Sequence, residues 1–580
     1  MGAALHKVIF AQGPFVQSIP QALAQLGVLA IVAFAVMVPI LASLWQSLRA
    51  AFDVLPVLGQ TKASLAPWAD LAQTPGLLTA VKLTVATGFC ATVIAFILAL
   101  ALVAAVQRAA PSNFATRLLT PFLAMPHAAI AVGLAFVLAP SGWIARALAP
   151  IFGWALPPDI ASVADPYGAA LTFGLVVKEM PFLALVILAA TTQIPLARTL
   201  AAGRALGYGR AALWIWVILP QIWPLVRLPV YIVLAFGLSV IDMALILGPS
   251  NPPTLAVLLA RMYASPDVTQ WMPASAGAVL LLGLVGASFA AVYMAEIIAA
   301  RVGRYMAYSG RRKGPLSMAA DALAFFAGAV LALGALCVVA LALWSVAWRW
   351  AWPDILPSAL SSKAWISATW ASPALATIVI AISATTLALT LAVAWLESEE
   401  RETALGSVLG AMIYLPLLIP QVSFLFGMNI LAIMLGISGG LAAVIWAHFL
   451  FVFPYVMITL AAPWRALDRR YLQTAAALGA SRGRRLIFIK MPLLLSPILA
   501  AFAIGIAVSV AQYLPTLFLG AGRVATLTTE AVTLSASSDR RVLSVVATLQ
   551  AVLPFAAYFA AFALPAFVFR NRRDLIGAAT

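Results

Sequence analysis

Ala201-Ala-Gly-Arg-Ala-Leu-Gly207 leads, 13 residues after its last glycine, to Leu219-Pro220; Gln473-Thr-Ala-Ala-Ala-Leu-Gly479 leads at the same interval to Met491-Pro492. Both stretches are basic. The first carries Arg198, Arg204 and Arg210; the second carries Arg465, Arg469, Arg470, Arg482, Arg484, Arg485 and Lys490. In each, the pattern predicts a short helix, a glycine break and a second short helix, with the proline opening a long apolar segment. Two such polar elements in an otherwise apolar chain predict a two-fold machine that presents two docking surfaces to a cytosolic partner.

The rest of the chain supports a membrane setting. Of 580 residues, 64% are hydrophobic and 9% charged, with mean hydropathy +1.06. Soluble domains carry roughly 25% charged residues, so these values describe a polytopic membrane protein. The net charge of +16 sits in clusters between apolar runs. That is the positive-inside pattern, and it argues against a nucleic-acid binder. Cys90 and Cys337 fall inside apolar runs and read as small buried hydrophobes, with no disulfide framework. The first residues lack the charged, apolar and cleavage regions of a removable signal peptide.

Twelve apolar segments are long enough to cross a bilayer, which needs roughly 20 residues each. The first six lie at roughly 25–48, 79–106, 114–140, 167–192, 222–248 and 274–300. The second six lie at roughly 320–348, 369–396, 405–436, 440–462, 494–519 and 546–570. Their continuous apolarity predicts helices rather than barrel strands. The basic clusters Arg301, Arg304, Arg311, Arg312 and Lys313, and Arg570, Arg572 and Arg573, place both termini in the cytoplasm. Both Leu-Gly elements then face the cytosol.

The two sets of six correspond. Pro126-His127 with Gly133 matches Pro420-Gln421 with Gly427, and Ser239-Val-Ile-Asp242 matches Ser509-Val-Ala-Gln512. Most of the length difference is the external stretch Ser141–Pro166, set against a short Gly439-Gly440 turn. The expected fold is an all-α membrane protein of about twelve helices in two parallel pseudo-symmetric halves. The divisions are a cytoplasmic segment 1–24, a first half 25–300, a basic linker 301–319, a second half 320–570 and a tail 571–580.

These features resemble the fused permeases of binding-protein-dependent ABC importers. That family's signature is Glu-Ala-Ala, two residues, Leu-Gly-Ala, then a spaced Ile-x-Leu-Pro. Here Ala202, Leu206, Gly207, Leu219 and Pro220 keep it in the first copy, and Ala475, Leu478, Gly479, Ala480, Ile489 and Pro492 in the second. The acidic position has become Ala201 and Gln473, which removes any ion pair from that carboxylate to an ATPase. Among such proteins the chain is similar in architecture to thiamine and ferric-iron permeases. The run Met125-Pro-His-Ala-Ala-Ile-Ala-Val-Gly133, followed by Ala139-Pro-Ser-Gly-Trp143, looks like the thiamine-transporter-like YnjC group.

The resemblance implies a type I importer fold in a bacterial inner membrane. It implies two copies of a cytosolic ABC ATPase, which use ATP and Mg, and a periplasmic substrate-binding protein. Arg204, Leu206, Gly207, Arg210, Leu478, Gly479, Ala480 and Arg482 would then form the coupling loops. Thiamine or a related small cation is the implied substrate.

Polar residues within the spans are costly and mark candidate path positions. His127 and Gln421 stand beside helix-breaking prolines, where they either bond a freed carbonyl or line the path. Asp242 and Gln512, near the expected outer ends of spans five and eleven, offer a cation-attracting charge at a gate or interhelical hydrogen bonds. Lys178 and Glu179 are adjacent on a helix and point about 100° apart, so they cannot share one partner face. At least one must meet another helix or an aqueous path. His448 reads as structural, Lys82 and Arg227 as snorkelling, and Glu397, Glu399, Glu400 and Glu402 around Arg401 as a solvated turn.

No Gly-x-x-x-x-Gly-Lys-Ser/Thr stretch is present, so any ATP hydrolysis belongs to a partner chain. Three His and two Cys, widely scattered, form no metal or cofactor motif. The alternative to an importer permease is a 6+6 secondary transporter driven by an ion gradient.

Overall fold

The structure is a computed structural model that describes residues 19–109, 119–308, 316–399, 404–537 and 539–570. Its first half contains α1 (Ile19–Val32), α2 (Val38–Ala51), α3 (Leu77–Ala109), α4 (His127–Leu138), α5 (Trp143–Phe152) and α6 (Ala169–Thr191). It continues with α7 (Leu196–Ala205), α8 (Leu219–Ser239), α9 (Asp242–Leu247), α10 (Leu255–Tyr263) and α11 (Trp271–Tyr308). The second half opens with α12 (Leu316–Val346), then a hairpin of β1 (Ala347–Arg349) and β2 (Ala359–Leu360). After it come α13 (Ala371–Ser398), α14 (Gln421–Met434), α15 (Leu441–Ala466) and α16 (Arg469–Ala477). The last four helices are α17 (Leu495–Ala511), α18 (Leu514–Gly520), α19 (Leu527–Ser535) and α20 (Arg540–Val568).

Ten of these segments are long and apolar enough to span a bilayer, or twelve when two sharply bent helix pairs each count as one span. The expected twelve are therefore present, but four differ in form: span three breaks at Met125 and Pro126 before α4, and spans nine, five and eleven depart as follows. Span nine bends by 104° between Leu418 and Gln421, where Pro420 has no N–H to continue the ladder. Span five is helical only to Ser239; the chain breaks at Val240 and Ile241 and resumes as α9. Span eleven bends by 77° near Leu494 and breaks again at Gln512 before α18. The expected linker is mostly helix, since α11 runs to Tyr308 and α12 begins at Leu316. Gly310, Gly314, Arg311, Arg312 and Lys313 lie outside the described residues, as do 1–18, Glu400, Arg401, Glu402 and the tail with Arg572 and Arg573.

The halves repeat in detail. Thr84 on α3 accepts the first N–H of α10 (Leu255, 2.8 Å), and Thr377 on α13 accepts the first N–H of α19 (Leu527, 2.9 Å). Each hydroxyl thereby satisfies a helix-start N–H that has no partner within its own helix.

Their opening helices are exchanged. In the first half α1 packs on α13 and α2 on α14; α12, which opens the second, packs on α3 and α4. Membrane helices associate through close van der Waals packing over small residues. The matched glycines supply that closeness. A methyl group on Gly133 would meet the Cys337 backbone of α12, and one on Gly427 would meet the Ser43 backbone of α2. Cys337 is accordingly buried, whereas Cys90 faces the outside of the bundle, contrary to its expected burial.

The Ser141–Pro166 insertion carries α5, which packs against the α12–α13 connection. The buried Arg146 guanidinium donates to the carbonyls of Ala351 and Asp354, both at 2.6 Å, and lies over the rings of Trp350 and Trp352. The Trp143 indole N–H donates to the Ile355 carbonyl at 2.8 Å.

Candidate functional site

The site is built on the two proline breaks. Residues 119–124 are helical, Pro126 is extended (φ −66°, ψ 148°), and α4 starts at His127. A helix ending this way leaves carbonyls without partners and a partial negative charge. The ammonium of Lys178 fills that place. Its Nζ donates to the carbonyls of Met125 (2.6 Å), Phe122 (3.3 Å) and Leu123 (3.4 Å).

Its neighbour Glu179 turns to the other side of the break. There His127 Nε2–H donates to Glu179 Oε1 at 3.3 Å, at the positive start of α4. The 100° between adjacent helical side chains thus lets one dipeptide hold both sides of the break. Of the two roles open to His127, a bond to a freed carbonyl or a place on the path, it does not take the first, since it meets a carboxylate and the lysine takes the carbonyls. The His127 ring also lies against Phe236, with centroids 4.4 Å apart.

His127, Glu179, Asp242, Gln421 and Gln512 line one central cavity of about 300 Å3, together with Lys178. The expected path residues are therefore brought together. Asp242 is not at the rim of a span. It is the first residue of α9, buried, with its carboxylate toward the N–H of Met243 and within electrostatic range of His127 and Lys178. Gln512 occupies the matching break, and its buried Oε1 accepts no hydrogen bond among the described residues.

Sequence reasoning missed the aromatic wall: Phe182, Phe236, Phe451, Tyr455, Tyr513 and Tyr558 complete the cavity. A usable signal was Pro181 on α6 against Pro454 on α15, which pairs Phe182 with Tyr455 and Lys178 with Phe451. All formal charges of the cavity come from the first half.

Both Leu-Gly elements have the expected helix–break–helix form and lie apart from the cavity. Gly207 has φ 81° and Gly479 has φ 82°, with open space where a Cβ would stand. Each closes a Schellman turn. Tyr208 N–H donates to Gly203 O at 3.0 Å and Gly207 N–H to Arg204 O at 2.9 Å. Ala480 N–H likewise donates to Ala475 O at 2.9 Å and Gly479 N–H to Ala476 O at 3.0 Å. Arg204, Arg210 and Arg482 are exposed around these turns, Ala480 is half-buried, and Leu206 and Leu478 are 56% and 83% exposed. Next come short helices Arg210–Leu213 and Arg482–Arg485, then matched wide π-turns at Trp214–Ile218 and Leu486–Lys490.

Two expectations about charge are corrected. Glu397 and Glu399 are not a solvated turn. Glu399 binds Arg465 through two 2.8 Å bonds, and Glu397 binds Lys490 at 2.6 Å. Asp321 does the matching work in the first half, with Arg108 at 2.9 Å and Arg210 at 3.5 Å. Arg227 does more than snorkel: it pairs with Glu296 at 3.2 Å and lies over Tyr231 and Tyr293. Lys82 is exposed on the bundle surface. His448 is structural as expected, bonded to the hydroxyls of Ser509 (2.8 Å) and Thr516 (2.9 Å).

Residues 384–574 match the profile of the binding-protein-dependent transport system inner membrane component family. The chain is also 32% identical over 498 residues to the inner membrane ABC transporter permease protein YnjC of Escherichia coli (strain K12), covering 85% of this chain and 89% of that protein. That likeness extends through both halves and sets aside the ion-gradient transporter. Permeases of this kind work with ATPase and substrate-binding partners. A predominantly helical, multi-pass chain with paired Leu-Gly elements, matched over this length, belongs to the type I permease family of binding-protein-dependent ABC importers.

Proposed function

We propose that this permease passes a small organic cation, thiamine or a relative of it, through the central cavity, driven by two copies of an ABC ATPase docked at Gly207 and Gly479. The observation that carries the reading is the cavity's charge. Lys178 is held by main-chain carbonyls, while Glu179 and Asp242 supply two carboxylates among aromatic rings that favour cations. Docking is supported by the exposed leucines and arginines of the two Schellman turns. ATPase closure would draw the two turns together and rotate the halves about their exchanged helices.

Asp242→Asn tests the substrate class. Thiamine uptake by proteoliposomes holding the ATPase and binding protein should fall about tenfold, the effect of losing roughly 1.4 kcal/mol of attraction. Assembly and basal ATPase activity should be retained. Undiminished uptake would remove the charge-based reason for a cation.

The proposed orientation places the Leu-Gly elements and both termini in the cytoplasm. Single cysteines introduced into Ser141–Pro166 or Asn251–Pro273 should react with an impermeant maleimide added to intact cells. A cysteine introduced at Arg304 should react only after lysis. The opposite pattern would invert the topology and end the docking proposal.

A further inference from the structure

The cavity has a pseudo-two-fold mate for every part of the Lys178 site except the ammonium. Phe122, Leu123 and Met125 correspond to Pro416, Leu417 and Ile419, the residues before the second break, and these three line the cavity. Ile419 is extended (ψ 133°) and Pro420 has no N–H, so the helix ladder stops here as it does at Pro126. Among the described residues, the carbonyls of Pro416, Leu417 and Ile419 accept no hydrogen bond. At the position of Lys178 the second half has Phe451, stacked on Phe424 with centroids 5.6 Å apart. The unpartnered Gln512 Oε1, a further acceptor, belongs to the same cavity.

Main-chain carbonyls inside a membrane, here on the buried Pro416 and the half-buried Leu417 and Ile419, are costly to leave unpaired, and in the first half a primary ammonium is what satisfies them. We propose that the carbonyls of Pro416, Leu417 and Ile419 bind an N–H-bearing group, ammonium or amino, of the transported cation, in the place that Lys178 fills on the other side of the pseudo-two-fold axis. The inference rests on the cation reading above and narrows it. The ligand must donate hydrogen bonds from its charged or amino nitrogen, which a quaternary ammonium does not do. Charge balance agrees when His127 is neutral, since Lys178 then offsets only one of the two cavity carboxylates.

The test uses the purified permease–ATPase complex in nanodiscs, with n-butylammonium, tetramethylammonium and n-butyrate as probes. At ten times its Kd, n-butylammonium should raise the Tm by about 2 °C, and the other two should not. Phe451→Lys should supply its own ammonium to the carbonyls, abolish that rise and cut uptake at least tenfold. Phe451→Met should keep the rise. Should Phe451→Lys fail to assemble, Phe451→Gln, which offers amide N–H donors from the same position, should at least halve the shift.

No butylammonium shift in the wild type, an equal shift with tetramethylammonium, or an undiminished shift in both Phe451→Lys and Phe451→Gln would overturn the proposal. In each case a tenfold loss of uptake in Asp242→Asn would still stand for the cation reading, so the two failures are separable.

Discussion

Replacing Gly207 and Gly479 together by valine should abolish ATP-driven uptake while leaving the permease inserted and folded. Both glycines hold φ near +80° at the C′ position of a Schellman turn, with nothing around them to clash. The cost of substitution is therefore purely conformational, on the order of 1–3 kcal/mol at each site and greatest for a β-branched side chain. That is enough to unwind a surface turn and too little to unfold a bundle buried elsewhere. Relief of the strain would re-aim Leu206, Arg210, Leu478 and Arg482 away from the direction the turn gives them. Uptake in proteoliposomes should drop to the level seen without ATP, and pull-down of the ATPase should weaken. The single Gly→Ala variants should show graded losses. Full transport by a folded double-valine protein would show that the turns do not carry coupling.

Gly427→Leu should have the opposite signature, a loss of the folded protein itself. Its side chain would enter the Ser43 backbone of α2, and a helix backbone cannot rotate aside as a side chain does. Overpacking costs about 1–3 kcal/mol when neighbours can adjust and more where they cannot. In detergent, the monodisperse fraction on size exclusion should fall severalfold, and Gly133→Leu, against Cys337 of α12, should behave alike. Gly283→Leu, with open space around it, is the matched control and should be silent. A monodisperse Gly427→Leu protein would mean that α2 and α14 do not meet as described.

The spans and the two-fold repeat were legible because they are local. Continuous apolarity needs no partner, and Leu-Gly with a spaced proline is a backbone instruction within one segment. Even the cavity residues could be picked out, since a membrane makes any interior His, Glu, Asp or Gln conspicuous. Their partners were not legible. That Lys178 takes carbonyls across 53 residues, or that Asp321 reaches Arg108 and Arg210, depends on how helices cross, which no single segment records. The acidic run at Glu397 misled for the same reason: adjacent like charges read as solvated until Arg465 and Lys490 arrive from α15 and from the turn before α17. The aromatic wall was hidden because Phe451 or Tyr455 in an apolar span looks like any lipid-facing ring.

The exchanged opening helices also set a timetable for the growing polypeptide. The ribosome finishes α2 early, yet its docking surface on α14 is translated about 370 residues later, on the order of 20–75 s at 5–20 residues per second. Throughout that interval the first helix pair waits in lipid with the backbone of Ser43 uncovered. Separately translated halves would have to trade these helices between two nascent chains, a search that one continuous polypeptide makes unnecessary.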